Sequence, residues 1–101
     1  MIELNQNSDE IPNYKAFVMA GSDMSPTINE GDYLVVDLDQ RLIRSGHIYV
    51  VEHKKAIIVA RLLLDIDKVK LIFDGGTHQL DALVGFITII GRVIEIKNIS
   101  D

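Results

Sequence analysis

The sequence contains no cysteine and no tryptophan, only two prolines, and six aromatic residues in 101. The absence of cysteine excludes disulfide bonds and thiolate metal ligands, and it is compatible with a reducing cytoplasm. Basic residues are outnumbered, ten against fifteen acidic ones, which gives a net charge of −5. Because phosphate neutralisation needs a basic surface, this composition argues against nucleic-acid binding by this domain alone.

Long hydrophobic runs and targeting signals are absent as well. The two longest apolar stretches, Ala56–Leu64 and Ala82–Gly91, are shorter than the roughly 20 residues of a membrane-spanning helix. The first ten residues are polar and acidic, unlike a signal peptide. We therefore expect a cytoplasmic protein without a membrane partner.

Residues that favour β-strands are abundant in this chain. Isoleucine and valine fill 24 positions, and apolar residues make up 48% of the sequence. Short strand-like segments separated by turns predict an all-β domain over residues 14–101, preceded by a leader or linker over residues 1–13. The predicted strands are Tyr14–Ala20, Tyr33–Val36, Ile48–Glu52, Ala56–Leu64, Lys68–Phe73 and Phe86–Ile99. Such a pattern is typical of a small β-sandwich or partly open barrel of about six to eight short strands.

One segment is more informative than the rest. Residues 18–32 read Val-Met-Ala-Gly-Ser-Asp-Met-Ser-Pro-Thr-Ile-Asn-Glu-Gly-Asp. This segment resembles the signature of the LexA and phage-repressor self-cleaving domains, peptidase family S24, whose relatives include the signal peptidases. The residues that match are Val18, Gly21, Met24, Pro26, Thr27, Ile28, Gly31 and Asp32. Further matches follow in the same order at Gly46–Val51, Val59–Leu62, Leu71–Asp74 and Ile89–Val93.

The resemblance implies a serine nucleophile and a lysine base, and this chain has neither. Asp23 and Ala60 occupy the two positions, whether by natural change or by engineering. Ser22 is a possible substitute nucleophile, but it also needs a base. Lys54 and Lys55 lie at a predicted exposed hairpin tip, where an amine stays protonated and cannot act as that base. Because nucleophile and base act as a unit, loss of either removes most of the rate.

Other positions of the expected pocket have structural and functional interpretations. The resemblance assigns Gly21, Met24, Pro26, Arg61 and Asp74 to the motif and its pocket. Arg61 interrupts an apolar strand, so it either faces a partner or pairs with an acid such as Asp74. We expect the Asp23 carboxylate to cap backbone N–H groups rather than to act as a general acid.

The remaining polar residues give no sign of a metal or cofactor site, and we expect neither group. Two acidic pairs are interpreted as turn residues rather than metal ligands, and three histidines as surface residues. These are Asp37 with Asp39, Asp65 with Asp67, and His47, His53 and His78.

The isoleucine-rich final strand either belongs to the core or forms an interface. The resemblance implies a twofold homodimer through the C-terminal region, and an exposed apolar edge needs covering. The candidate interface residues are Ile90, Arg92, Ile94 and Ile96. The resemblance also implies DNA binding through an N-terminal helix-turn-helix domain missing from this sequence, and a RecA-type activator acting in an SOS response.

These observations predict a non-catalytic dimerisation and regulatory domain of a phage-type transcriptional repressor. Two alternatives remain open. One is a self-cleaving Ser-Lys peptidase domain disarmed by engineered substitutions. The other is a stand-alone module that holds an extended peptide in the vacated groove by strand addition.

Overall fold

A computed structural model describes residues 12–76 and 78–98, and this part of the chain consists of strands and turns. Residues 1–11 of the expected leader, Thr77 and residues 99–101 lie outside the described residues. The strands are β1 Tyr14–Val18, β2 Tyr33–Asp37, β3 Ile48–His53, β4 Ala56–Asp65, β5 Lys68–Ile72, β6 Gln79–Leu83 and β7 Ile87–Lys97. A 3-10 turn, Val84–Phe86, links the last two, and no helix in the described part is long and apolar enough to cross a membrane. The all-β prediction is confirmed.

All seven strands form one open antiparallel sheet in the order β1-β2-β7-β3-β4-β5-β6. The longest strand, β7, pairs with β2 along one edge and with β3 along the other. Each of these two pairings contains a register shift of the β-bulge kind, which bends a sheet and increases its twist. At Gly91 the strands approach so closely that a Cβ atom would lie 2.6 Å from the Asp37 carbonyl oxygen.

The sequence patterns located the first five strands to within two residues but missed β6. The β6 sequence, Gln-Leu-Asp-Ala-Leu, contains none of the β-branched residues that mark a strand. Its strand conformation depends instead on pairing with β5, from Lys68 opposite Leu83 to Ile72 opposite Gln79. The predicted last strand began at Phe86, but β7 begins at Ile87 because Phe86 belongs to the 3-10 turn.

The core is centred on β3. Its residues Ile48–Val51 are buried one after another, so this strand is covered on both faces and does not alternate. Tyr49 is fully buried, and its hydroxyl accepts a hydrogen bond from the Arg44 amide at 2.8 Å and donates one to the Leu42 carbonyl at 3.0 Å. The buried phenol is therefore satisfied and fixes the segment that precedes β3.

The final strand has no free edge, because β7 lies between β2 and β3 and both its edges are paired. The bulges also interrupt the alternation along β7. Ile90 and Ile96 pack against the core, whereas Ile94 is 37% exposed. Only a face of β7, and not its edge, is available to a partner.

A strained turn between β4 and β5 gives a stability prediction. Ile66 has a φ of 57° and a 92% exposed side chain, and this left-handed conformation costs an L-residue roughly 1–2 kcal/mol. Glycine relieves the strain but adds freedom to the unfolded chain. We therefore expect Ile66→Gly to raise the free energy of unfolding by about 0.5–1 kcal/mol in urea denaturation. Ile66→Ala, which keeps a Cβ, is the control, and an equal gain from both variants would contradict the strain account.

Candidate functional site

The motif segment forms the loop that joins β1 to β2, and backbone hydrogen bonds close its base. The Met19 amide donates to the Asp32 carbonyl at 2.9 Å, and the Gly31 amide donates to the Met19 carbonyl at 2.8 Å. Met24 and Ile28 are fully buried. Two buried side chains therefore anchor the loop in the core, whereas residues 20–23 of the loop are exposed.

The middle of the loop is a compact turn. The Ser22 carbonyl accepts a hydrogen bond from the Ser25 amide at 3.0 Å, and the Ser25 hydroxyl bonds the Asn29 side chain at 2.8 Å. The Ser25–Pro26 peptide bond is cis. Gly21 has a φ of 83°, in the left-handed region that glycine adopts most easily.

An ion pair joins this loop to the sheet. The Arg61 guanidinium on β4 donates two hydrogen bonds to the Asp74 carboxylate, Nε to Oδ1 at 3.1 Å and Nη2 to Oδ2 at 2.7 Å. Its Nη1 donates to the Gly46 carbonyl at 2.6 Å. From the loop, the Thr27 hydroxyl donates to Asp74 Oδ2 at 2.6 Å. Of the two interpretations of Arg61, internal pairing with Asp74 is confirmed.

The pair shifts the protonation equilibria of both partners. The hydrogen bond from Arg61 lowers the pKa of the Asp74 carboxyl, burial opposes this effect, and the Thr27 bond and the Arg61 charge add to it. The hydrogen bond to Asp74 raises the pKa of Arg61 above its usual value. Both groups are therefore charged at neutral pH.

The turn after Asp74 fixes the position of Asp23. The Gly75 amide donates to the Asp23 carbonyl at 2.8 Å, and a Cβ atom at Gly75 would lie 2.8 Å from that oxygen. Residue 75 is thus glycine because two backbones approach closely. The Asp23 side chain is exposed and has no hydrogen-bond partner within residues 12–76 and 78–98, so the expected capping by this carboxylate is not observed there.

Asp23 lines a groove of about 440 Å³ between the end of β1 and the first half of β4. Its lining includes Val18 of β1, Ile57 and Val59 of β4, and Phe73, which follows β5. Ala60 is fully buried and does not line the groove. The two positions that the resemblance assigns to the dyad therefore differ in environment, with position 23 open to the groove and position 60 packed in the core.

The substitute dyad through Ser22 gains no support from the geometry. Ser22 is not among the residues that line the groove, and no lysine lines it either. Lys54 and Lys55 are exposed at the turn between β3 and β4, as the sequence predicts. The described residues of the groove therefore offer no hydroxyl and amine in one place.

One feature of the groove was missed from the sequence. The rings of Phe73 and His78 lie with their centroids 4.5 Å apart, and both residues line the groove. His78 is exposed as predicted, but its contact with Phe73 depends on how β5 and β6 pair.

Asp37 has the predicted turn role, because its carboxylate accepts a hydrogen bond from the Asp39 amide at 3.0 Å.

Comparison with known proteins agrees with this architecture. The family model described as Peptidase S24-like matches residues 2–94, and the chain belongs to that family. A 62-residue stretch is 36% identical to an uncharacterized HTH-type transcriptional regulator of Haemophilus influenzae. The match covers 61% of this chain but only 26% of that protein.

The ion pair generates a pH-dependent prediction. Because the folded-state pKa of Asp74 is lowered, its contribution to stability is present above the unfolded value of about 3.9 and is lost as pH falls through the folded value. The Arg61 side chain is 34% exposed, so solvent screening reduces the effect. We expect Asp74→Asn to lower the free energy of unfolding at pH 7 by about 1–2 kcal/mol.

Urea denaturation of the unsubstituted protein and of this variant at pH 7 and pH 3 provides the measurement. The difference between the two proteins is expected to shrink at pH 3. Asp65→Asn, at an exposed end of β4, is the matched control and is expected to have little effect. A stability difference for Asp74→Asn that stays constant across this pH range would contradict the assignment.

Proposed function

We propose that this chain is a non-catalytic dimerisation and regulatory domain of a phage-type transcriptional repressor that acts in the cytoplasm. The proposal is supported by the S24-like family match together with the residues at the two positions that the resemblance assigns to the dyad. Asp23 stands in the groove in place of a nucleophile, and the buried Ala60 has no titratable group.

Similarity to an HTH-type regulator supports the assignment to transcription control. The matched stretch is 26% of that protein, so most of its length lies elsewhere. With a net charge of −5, this chain is poorly suited to contact phosphates itself. In the proposed repressor, a separate helix-turn-helix domain contacts DNA, and the homodimer of this domain brings two such units together so that bivalence raises affinity.

The regulatory consequence is insensitivity to induction by self-cleavage. A hydroxyl nucleophile needs a nearby base, and the described residues that line the groove supply no such pair. A RecA-type activator that stimulates cleavage therefore has no step to accelerate here. Release from DNA follows another signal in this proposal.

Labelling with a fluorophosphonate, which reacts covalently with an activated serine, tests the loss of catalysis. At about pH 10, where lysine is largely neutral, we expect no mass increase for the unsubstituted chain. We expect labelling of the double variant Asp23→Ser/Ala60→Lys, because burial at position 60 favours a neutral amine. The single variant Asp23→Ser, which lacks a base, is the control. Labelling of the unsubstituted chain that Ser22→Ala abolishes would contradict the proposal and favour a peptidase that uses Ser22.

Sedimentation equilibrium tests the dimer. We expect a dimer at tens of micromolar, held through the β7 face that includes Arg92 and the exposed Ile94. A buried charge without a partner is costly, so Ile94→Glu is expected to weaken dimerisation at least tenfold. Ile57→Glu places the same charge on another exposed strand isoleucine and is expected to leave the dimer intact. A monomer at these concentrations would contradict the assembly role.

A further inference from the structure

A second groove lies against the first half of β7, apart from the groove that Asp23 lines. It encloses about 410 Å³ and is lined by six apolar side chains and one arginine. The apolar lining consists of Leu42 and Ile43 before β3, Leu64 of β4, Val84 of the 3-10 turn, and Ile87 and Ile89 of β7. Leu42 is 85% exposed and Leu64 is 45% exposed, so this Leu64 groove presents apolar surface to solvent. Contiguous apolar surface of this kind is typical of a site that another segment covers.

An adjoining groove leads from the Leu64 groove to the beginning of the described chain. Arg41 and Ile89 line both grooves, and Asn13 lines the adjoining one. Asn13 is held in place, because its carbonyl accepts a hydrogen bond from the Leu38 amide at 2.9 Å. Residues 1–11 therefore join the described chain at one end of this continuous surface.

The composition of residues 1–11 complements this surface. The segment includes Ile2 and Leu4, and it contains three acidic residues but no lysine or arginine. Arg41 is the only charged residue among the described residues that line the two grooves. Its guanidinium has no hydrogen-bond or ion-pair partner in the part of the chain that the structure covers. Apolar side chains and carboxylates on one segment therefore match an apolar groove that carries one cation.

The order of residues along the segment also matches the order of the two grooves. The acidic pair Asp9–Glu10 is three to four positions before Asn13, close to the groove that Arg41 lines, whereas Leu4 is nine positions before it. An extended chain spans at least 3.3 Å per residue, so nine residues reach roughly 30 Å. Leu64 lies on β4, which is three strand positions from β2, or about 15 Å across the sheet. The segment is thus long enough to pass the arginine and to reach the Leu64 groove.

We propose that residues 1–11 dock along this surface, with Asp9–Glu10 beside Arg41 and with Leu4 in the Leu64 groove. Because the segment belongs to the same chain, its effective concentration at the groove is on the order of millimolar, and weak contacts suffice. In the proposed repressor, the segment leads from the DNA-binding domain to β1, so docking holds this connection against the sheet. The inference goes beyond the proposed function and depends neither on the loss of catalysis nor on the dimer, because the grooves lie against the first half of β7 and the proposed dimer contacts lie in its second half.

Methyl NMR of the complete chain tests the inference, because nuclear Overhauser contacts join only methyl groups that lie close together. We expect contacts from Leu4 to the methyl groups of Leu64 and Val84. Arg41→Glu replaces the expected attraction by repulsion, and we expect it to weaken these contacts at least twofold, as for a partly exposed ion pair. Arg44→Glu makes the same change of charge at an exposed arginine that lines neither groove, and it is expected to leave the contacts unchanged.

A substitution within the segment gives a second readout. Leu4→Ser removes the apolar side chain, so we expect it to shift the methyl resonances of Leu64 and Val84. Asn7→Ser changes a polar residue of the same segment and is the control, for which we expect little shift of these resonances.

Three results would overturn the inference. The absence of contacts between Leu4 and the Leu64 groove would exclude docking of the segment there. Contacts between isotope-labelled and unlabelled chains in a mixture would make a second copy the occupant of the groove. Equal effects of Arg41→Glu and Arg44→Glu would exclude the pairing of the segment with Arg41.

Discussion

The Asp74 carboxylate is the contact on which the rest of the site depends. It accepts hydrogen bonds from Arg61 on β4 and from Thr27 in the loop between β1 and β2, so one side chain joins the loop to the sheet. The next residue, Gly75, allows the backbone to reach the Asp23 carbonyl. Removing the carboxylate would leave a partly buried guanidinium without its partner, which is costly. The ion pair and one close backbone approach therefore hold the loop that carries Asp23 against the sheet.

None of these contacts uses the side chains at positions 23 and 60, which the resemblance assigns to the dyad. Asp23 contributes its backbone carbonyl, which any residue supplies, and Ala60 packs as an ordinary core residue. The contacts that hold the loop against the sheet are thus independent of the side chain at position 23. The contacts that hold this fold therefore do not by themselves fix what it does, because function depends on the site and not on the fold.

The parts that sequence reasoning predicted are those set by local pattern. Turn residues and β-branched runs located the first five strands, and pairing with Asp74 was one of the two interpretations that the sequence offered for Arg61. Local sequence pattern did not predict the features that depend on pairing between strands. β6 has weak strand propensity, and its strand conformation depends on pairing with β5. β7 lies inside the sheet although it is the last strand of the chain, because strand order in a sheet follows from packing and not from position in the chain. The Phe73–His78 contact spans the turn between β5 and β6, so it was missed together with β6.

The most direct test of the account is the intact mass of the full-length product of the gene that encodes this chain. The protein is incubated at about pH 10, where a lysine base would be largely neutral, and its mass is compared before and after. The account predicts one unchanged mass, because neither a hydroxyl at position 23 nor an amine at position 60 is present. Two fragments whose masses add up to the parent plus one water would show hydrolysis by the chain itself and would contradict the claim that this S24-type domain works without catalysis.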